Sequence, residues 1–233
     1  ALMTSVVEMP NKVAEYISVC RQMGIQILPP DINHGMYGFS VDNGAIRYAL
    51  SAIKSIGRPV IEGIVREREE HGEYTSLKTF VERNIDQINK RVVENLIKAG
   101  ALDCLEGNRK QKMTIYTQII DSINQDKKHT MAGQLSLFDI ASEEDKKEFE
   151  IRMPQVEEYP KEIILTFEKE VLGIYLSGHP LERYRNMMEK MISAKTSDFQ
   201  PDDETGIPEV YDNQKVIVGG MITDKTIKYT KNN

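Results

Sequence analysis

Apolar positions along this chain recur mostly every three to four residues, the period of an amphipathic helix. In residues 11–23, Val13, Ala14, Ile17, Val19 and Cys20 are apolar or small, as in an amphipathic helix, and Gly24 ends the pattern. A short apolar run at 25–28, closed by Pro29 and Pro30, predicts a strand, and residues 31–43 are rich in turn formers. Ile46, Ala49, Leu50 and Ile53 then predict a helix over 45–53. A turn at Ser55-Ile56-Gly57 leads into a helix from Pro59 to about Glu70, ended by His71-Gly72. Thr75 or Ser76 caps the next helix, with Leu77, Phe80 and Val81 on its apolar side. After a bend around Ile88-Asn89 a further helix runs to Ala99 and stops at Gly100.

Within this stretch the sequence repeats itself. IKSIGRPVIEGIVR (53–66) and IDQINKRVVENLIK (85–98) superpose at a spacing of 32 residues. Ile53 falls on Ile85, Ile56 on Ile88, Gly57 on Asn89, Arg58 on Lys90, Glu62 on Glu94 and Arg66 on Lys98. Such a period marks one supersecondary unit used twice, here a helix, a short turn and a second helix. Gly57 and Asn89 share the turn position, and both residue types tolerate positive φ. Pro59 suits the first turn of a helix, where a missing N–H costs nothing.

Downstream, residues 113–123 predict a helix and 124–133 a polar linker. An abrupt apolar peptide follows, Gln134-Leu135-Ser136-Leu137-Phe138, and then an acidic run to Glu150. Residues 160–176 predict a helix, with Ile163, Ile164, Phe167, Val171 and Leu172 apolar; 177–180 is a turn and 181–191 another helix. Residues 193–212 read as loop, 215–223 as a strand, and 226–231 as a second strand through Ile227 and Tyr229. Two strands are marginal alone, so this end is expected to belong to a larger sheet. The first residue is Ala1 and not methionine, which fits an excised fragment.

Charge narrows the partners. The net charge of −6 excludes a broadly basic surface, so any nucleic-acid contact must be local. Residues 50–112 hold 12 Lys/Arg against 10 Asp/Glu, net +2, whereas 139–170 hold 5 against 11, net −6. No window approaches the roughly 18 consecutive apolar residues of a membrane span. Cys20 and Cys104 lack metal spacing and read as reduced packing residues. His34 reads as a solvated loop residue, and Asp202-Asp203-Glu204 as a solvated loop without the cage a metal needs.

A tight bend that opens into a helix gathers backbone N–H groups at the positive end of the helix dipole, which suits an anion. Lys54 and Arg58 beside the first bend, and Lys90 and Arg91 beside the second, suit phosphate. Two such bends related by a pseudo-twofold axis fit the two strands of a duplex, independent of sequence. The alternative is a helical scaffold whose charges form a solvated face. The peptide at 134–138 offers a polar hook and two apolar anchors for a pocket on a partner. No glycine-rich phosphate loop, Ser/His/Asp spacing, Cys/His cluster or paired acids for two-metal chemistry is present, so no catalytic residue and no metal ligand is assigned.

Five stretches carry a resemblance: KVAEYISVCRQMGIQILPPDIN (12–33), AIKSIGRPVIEGIVREREEHG (52–72), INKRVVENLIKAGALD (88–103), QLSLFD (134–139) and EKEVLGIYLSGHPLERY (168–184). Together the chain resembles a segment of the alpha subunits of bacterial DNA polymerase III, the C-family replicative polymerases. The resemblance implies a mainly α fold: a tandem helix-hairpin-helix module with flanking helices and a short, truncated β segment at the C-terminus. It implies the end of a fingers region at 1–44, the duplex-binding module at 45–112, and a helix, linker and clamp-binding peptide at 113–139. An acidic linker and helical connector at 140–213 and the start of an oligonucleotide-binding (OB) barrel at 214–233 complete the division.

Carried over by position, Lys54, Ser55, Ile56, Gly57 and Arg58 form one DNA-binding hairpin, and Ile88, Asn89, Lys90 and Arg91 the other. Gln134, Leu135, Ser136, Leu137 and Phe138 form the site for the sliding clamp, beta. Ser55 and Asn89 stand where such hairpins often carry glycine, so the first hairpin is expected to be the better phosphate cradle. The parent activity implied is DNA-directed DNA synthesis in the cytoplasm, with Mg2+ on palm acids outside this segment and other replicase subunits as partners. The segment itself is expected to be inactive and to need no cofactor. A separate possibility is a helix-hairpin-helix repair enzyme, which would need an acid or lysine in a pocket after the hairpin.

Overall fold

A computed structural model describes residues 2–131, 151–202, 205–222 and 225–227, with 129–131 described by backbone alone. It forms two compact units, residues 1–177 and 178–233. The fold is mainly α, as the apolar periodicity predicts. Among the described residues no helix is long and apolar enough to cross a membrane.

The first unit begins with helices α1 (Leu2–Ser5) and α2 (Pro10–Gln22), the latter burying Val13 and Ile17. Strands β1 (Ile27–Leu28), β2 (Ser40–Asp42) and β3 (Ala45–Arg47) form one small sheet in the order β1-β3-β2. The helix expected over 45–53 is therefore not there. Asn43 and Gly44 both adopt positive φ (48° and 83°), the geometry of a two-residue hairpin turn, and this sets β3 antiparallel to β2 with Val41 opposite Ile46. The 3₁₀ turn Leu50–Ala52 follows. Ala49, Leu50 and Ile53 are buried as expected, but on an extended backbone and a single turn.

Helices α3 (Arg58–His71), α4 (Leu77–Asn84) and α5 (Lys90–Ala99) together supply ten residues of the buried core. Ile53, Ile61, Ile64, Phe80, Leu96 and Ile97 are each no more than 2% exposed. Full burial of such a side chain contributes about 1.5–3 kcal/mol. Ser76 caps α4 through the Thr79 N–H (3.1 Å), and Gly100, at φ 80°, ends α5. Arg68 is buried and anchors α3 to the preceding loop by donating to the carbonyls of Ile32 (2.8 Å) and Gly35 (2.9 Å).

Helix α6 (Arg109–Met131) packs on α4 and α5 and runs through much of the residues expected to be a linker. Its start is built by a reciprocal pair: Asn108 N–H to Gln111 Oε1 (2.7 Å) and Gln111 N–H to Asn108 Oδ1 (2.8 Å). Its later turns are held by Lys127–Asp86 (2.5 Å). Helix α7 (Lys161–Leu172) packs on α5 and stops at Gly173, at φ 77°, four residues before the expected end.

In the second unit, the helix expected over 181–191 is a 3₁₀ turn (Glu182–Tyr184) followed by helix α8 (Arg185–Met191). Residues 215–222 carry no regular structure, where a strand is expected. The Ile217 carbonyl accepts from Ser193 N–H (2.9 Å), but Ile217, Val218 and Ile222 stay exposed. An apolar run makes a strand only with a neighbouring strand to complete its hydrogen bonds, and the second expected strand, 226–231, lies mostly outside the described residues.

Candidate nucleic-acid interface

Both bends are fixed by buried isoleucines. Ile53 and Ile56 insert beneath the first bend, and Ile88 beneath the second. Sequence reasoning expects positive φ at Gly57 and Asn89; neither adopts it. Gly57 (φ −73°, ψ 152°) and Asn89 (φ −130°, ψ 174°) are the extended N-cap residues of α3 and α5. The left-handed residue is Ser55, at φ 64°. The shared Gly/Asn position is thus a helix start, where both residue types are also favoured.

The two starts differ in how their donors are used. Asn89 Oδ1 accepts the Val92 N–H (3.0 Å), whereas Gly57 offers no side-chain cap. Pro59 removes a further donor at the first start, and Val60 and Ile61 donate to the Gly57 carbonyl (3.1 and 3.2 Å). Among the described residues, the N–H groups of Ile56, Gly57 and Arg58 at the first bend take no partner, nor do those of Asn89, Lys90 and Arg91 at the second. Each bend therefore presents three open donors at a helix N-terminus. That arrangement attracts anions.

The cations named from sequence are not equally available. Lys54 Nζ donates to the Glu170 carbonyl (2.9 Å), completing the last turn of α7. Arg58 pairs with Glu62 (2.7 Å) and lies over the Tyr37 ring, 4.9 Å from its centroid. Lys90 pairs with Asp121 of α6 (2.7 Å). Arg91 is exposed and has no ion pair among the described residues. The Arg58 and Lys90 pairs lie on the surface, where such pairs contribute little and exchange readily for another anion.

The bends interlock through two residues that the sequence did not single out. Gly63 of α3 lies against Gln87 of the second bend so closely that a Cβ would overlap the Gln87 amide. Asn95 of α5 donates its side-chain N–H to the Lys54 carbonyl of the first bend (2.7 Å). Gly63 and Asn95 stand 32 residues apart, at equivalent places in the repeat. Each unit's second helix thus receives the other unit's bend, and the spacing of the repeat was the signal that could have found this pair.

The other candidate residues separate plainly. Gln134, Leu135, Ser136, Leu137 and Phe138, the expected clamp peptide, lie outside the described residues, as do Asp203 and Glu204. Cys20 and Cys104 are free thiols. Among the described residues, the group of acids and histidine close enough to share a metal is Glu67, Glu70 and His71. Glu67 is already engaged by Arg83 (3.0 Å) and His71 (3.1 Å), so this donor set does not fit the open oxygen cage that magnesium requires.

Comparison with known proteins agrees with this geometry. The family described as "Helix-hairpin-helix motif" matches residues 24–112, which hold both bends. DNA polymerase III subunit alpha of Vibrio cholerae is 34% identical over 233 residues, 99% of this chain and 19% of that protein. Its counterpart in Chlamydia pneumoniae is 35% identical over 202 residues, 86% of this chain and 16% of that protein. That of Mycobacterium leprae is 31% identical over 237 residues, 99% and 19% respectively. The chain thus spans roughly a fifth of the length of these relatives. Similarity that runs through nearly the whole chain, in bacteria this far apart, covers the paired bends and the helices that brace them, and on it the chain belongs to the DNA polymerase III subunit alpha family.

Proposed function

We propose that this chain is a duplex-DNA-holding segment of a replicative polymerase. The observation that carries the reading is the pair of helix starts, each with three unpartnered backbone donors and an adjacent cation, locked to one another through Gly63 and Asn95. Phosphate oxygens of the two strands would accept from Ile56, Gly57 and Arg58 at one bend and from Asn89, Lys90 and Arg91 at the other. Such contacts read no bases, so binding would be indifferent to sequence. Arg58 and Lys90 would exchange their carboxylate partners for phosphate. Lys54 is a poorer candidate than its position suggests, because its ammonium completes α7.

The parent activity in this reading is DNA-directed DNA synthesis. Its Mg2+ would sit on acids outside this segment. Gln134–Phe138 would dock on the beta sliding clamp, with Gln134 as the polar hook and Leu137 and Phe138 as the apolar anchors. Other replicase subunits and a cytoplasmic setting follow from the same reading.

The experiment is a titration of the chain with duplexes of unrelated sequence and with the clamp. Equal affinity across duplexes, and loss of clamp binding in Phe138→Ala alone, are the outcomes expected. A specific observation favours the competing reading of a structural connector: three of the four named cations already have protein partners. That reading requires no DNA binding at all, so the duplex titration separates the two.

A further inference from the structure

The first bend is held from outside the matched motif. All three polar groups of Lys54 are committed: its N–H donates to the Val171 carbonyl (2.9 Å), its ammonium to the Glu170 carbonyl (2.9 Å), and its own carbonyl accepts from Asn95 (2.7 Å). Val171 and Glu170 are in the last turn of α7, more than a hundred residues downstream of the bend. Lys98 of α5 closes the ring by pairing with Glu170 (2.8 Å) and lying over the Phe167 ring, 5.5 Å from its centroid. Three elements distant in sequence therefore meet at one residue, and the next residue is Ser55, the non-glycine residue held at φ 64°. A left-handed serine persists only where its surroundings over-determine it.

We infer that α7 is a working part of the DNA-holding unit, and that Asn95 is its positioning residue. The clasp on Lys54 fixes the Ser55 conformation and so aims the open N–H groups of Ile56, Gly57 and Arg58. The unit accordingly extends to Leu172 and does not end near Lys112 with the matched motif. Asn95 is 8% exposed and uncharged, so it acts through the bend and not on DNA itself. The DNA part of this inference rests on the proposed function; the clasp does not.

The test uses the full chain with Asn95→Ala, with Lys98→Met, which frees Glu170 of α7 at the far end of α5 from the bend, and with Val13→Ala in α2 as a control for lowered stability. Amide hydrogen exchange is read at Lys54, the amide of the bend that the clasp engages, and duplex affinity is measured well below the melting temperature. Both clasp variants are expected to exchange faster at Lys54 than the control. They should also bind duplex about fivefold more weakly, the effect of one hydrogen bond of ordinary strength. Unchanged exchange at Lys54 in either folded variant overturns the clasp. Faster exchange with undiminished duplex binding overturns its role in DNA holding. If the unaltered chain binds no duplex while exchange rises in the variants, the clasp stands and the DNA reading falls.

Discussion

Gly63 lies directly against the side-chain amide of Gln87, an approach that no residue with a Cβ permits unless Gln87 moves. Gln87 in turn donates to Asn84 Oδ1 (2.7 Å), so the contact binds the end of α4 and the second bend to the middle of α3. Gly63→Ala sets two effects against each other. Alanine favours the helix interior by about 1 kcal/mol, and displacing Gln87 loses a hydrogen bond of similar worth. The single variant is expected to change stability by less than about 1 kcal/mol. In a Gln87→Ala background the same change should stabilise by about 1 kcal/mol, a coupling that a double-mutant cycle in urea would measure.

The two helix starts should respond unequally to small side chains. Asn89→Ala removes the acceptor for the Val92 N–H and is expected to cost about 1 kcal/mol. Gly57→Ala should cost less, about 0.5 kcal/mol, because Gly57 has no side-chain cap to lose and, extended at φ −73°, would place a Cβ only against Pro59 Cδ at 3.7 Å. Were Gly57 the left-handed residue, the order would reverse. Equilibrium denaturation of the two variants decides between these geometries.

How much of this was legible in sequence follows a physical line. Buried periodicity was legible: Ile53, Ile61, Ile64, Val92, Val93, Leu96 and Ile97 are core residues as the pattern requires. The backbone over 45–53 is ambiguous in sequence, because an apolar face at Ile46, Ala49, Leu50 and Ile53 fits either a helix or a strand followed by one turn. The Asn43-Gly44 signal just before it decides for the strand. The pairing of Gly57 with Asn89 is visible in the repeat, but their task is not, since cap and left-handed residue share the same preferred types. The bracing of the bends by Gly63, Asn95 and α7 was not legible, because it depends on contacts between segments far apart in sequence. Residues 215–222 read as a strand from their apolar run, but among the described residues no strand pairs with them.

Asp121 places a carboxylate beside the second bend, where a phosphate would have to come. Asp121→Asn should raise duplex affinity about two- to fourfold at low salt, the scale of one screened surface charge, with the difference shrinking as salt rises. Fluorescence anisotropy at two ionic strengths would read it. Weaker binding in the variant would mean that the Lys90–Asp121 pair positions the bend.

Glu158 accepts the N–H groups of Arg109 (2.9 Å) and Lys110 (3.1 Å) at the start of α6. Partial burial raises its pKa, but the N–H donors of Arg109, Tyr159 and Lys110 outweigh this and hold it below the ordinary 4.5. A carboxylate depressed in the folded state adds stability above its unfolded pKa and loses that contribution as pH falls through the folded value. Glu158→Gln is therefore expected to cost about 0.5–1 kcal/mol at neutral pH, after allowance for solvent screening. The difference from the unaltered chain should narrow below pH 4.5 in acid denaturation curves.

The salt dependence of duplex binding bears most directly on phosphate holding by the two bends. The logarithm of the affinity should fall linearly with the logarithm of salt concentration, with a slope of about −0.9 for each phosphate neutralised. Arg58→Ala and Arg91→Ala should each make that slope shallower by about one contact, whatever the duplex sequence. An affinity that is flat between low and moderate salt, or a slope that neither substitution changes, would contradict the account.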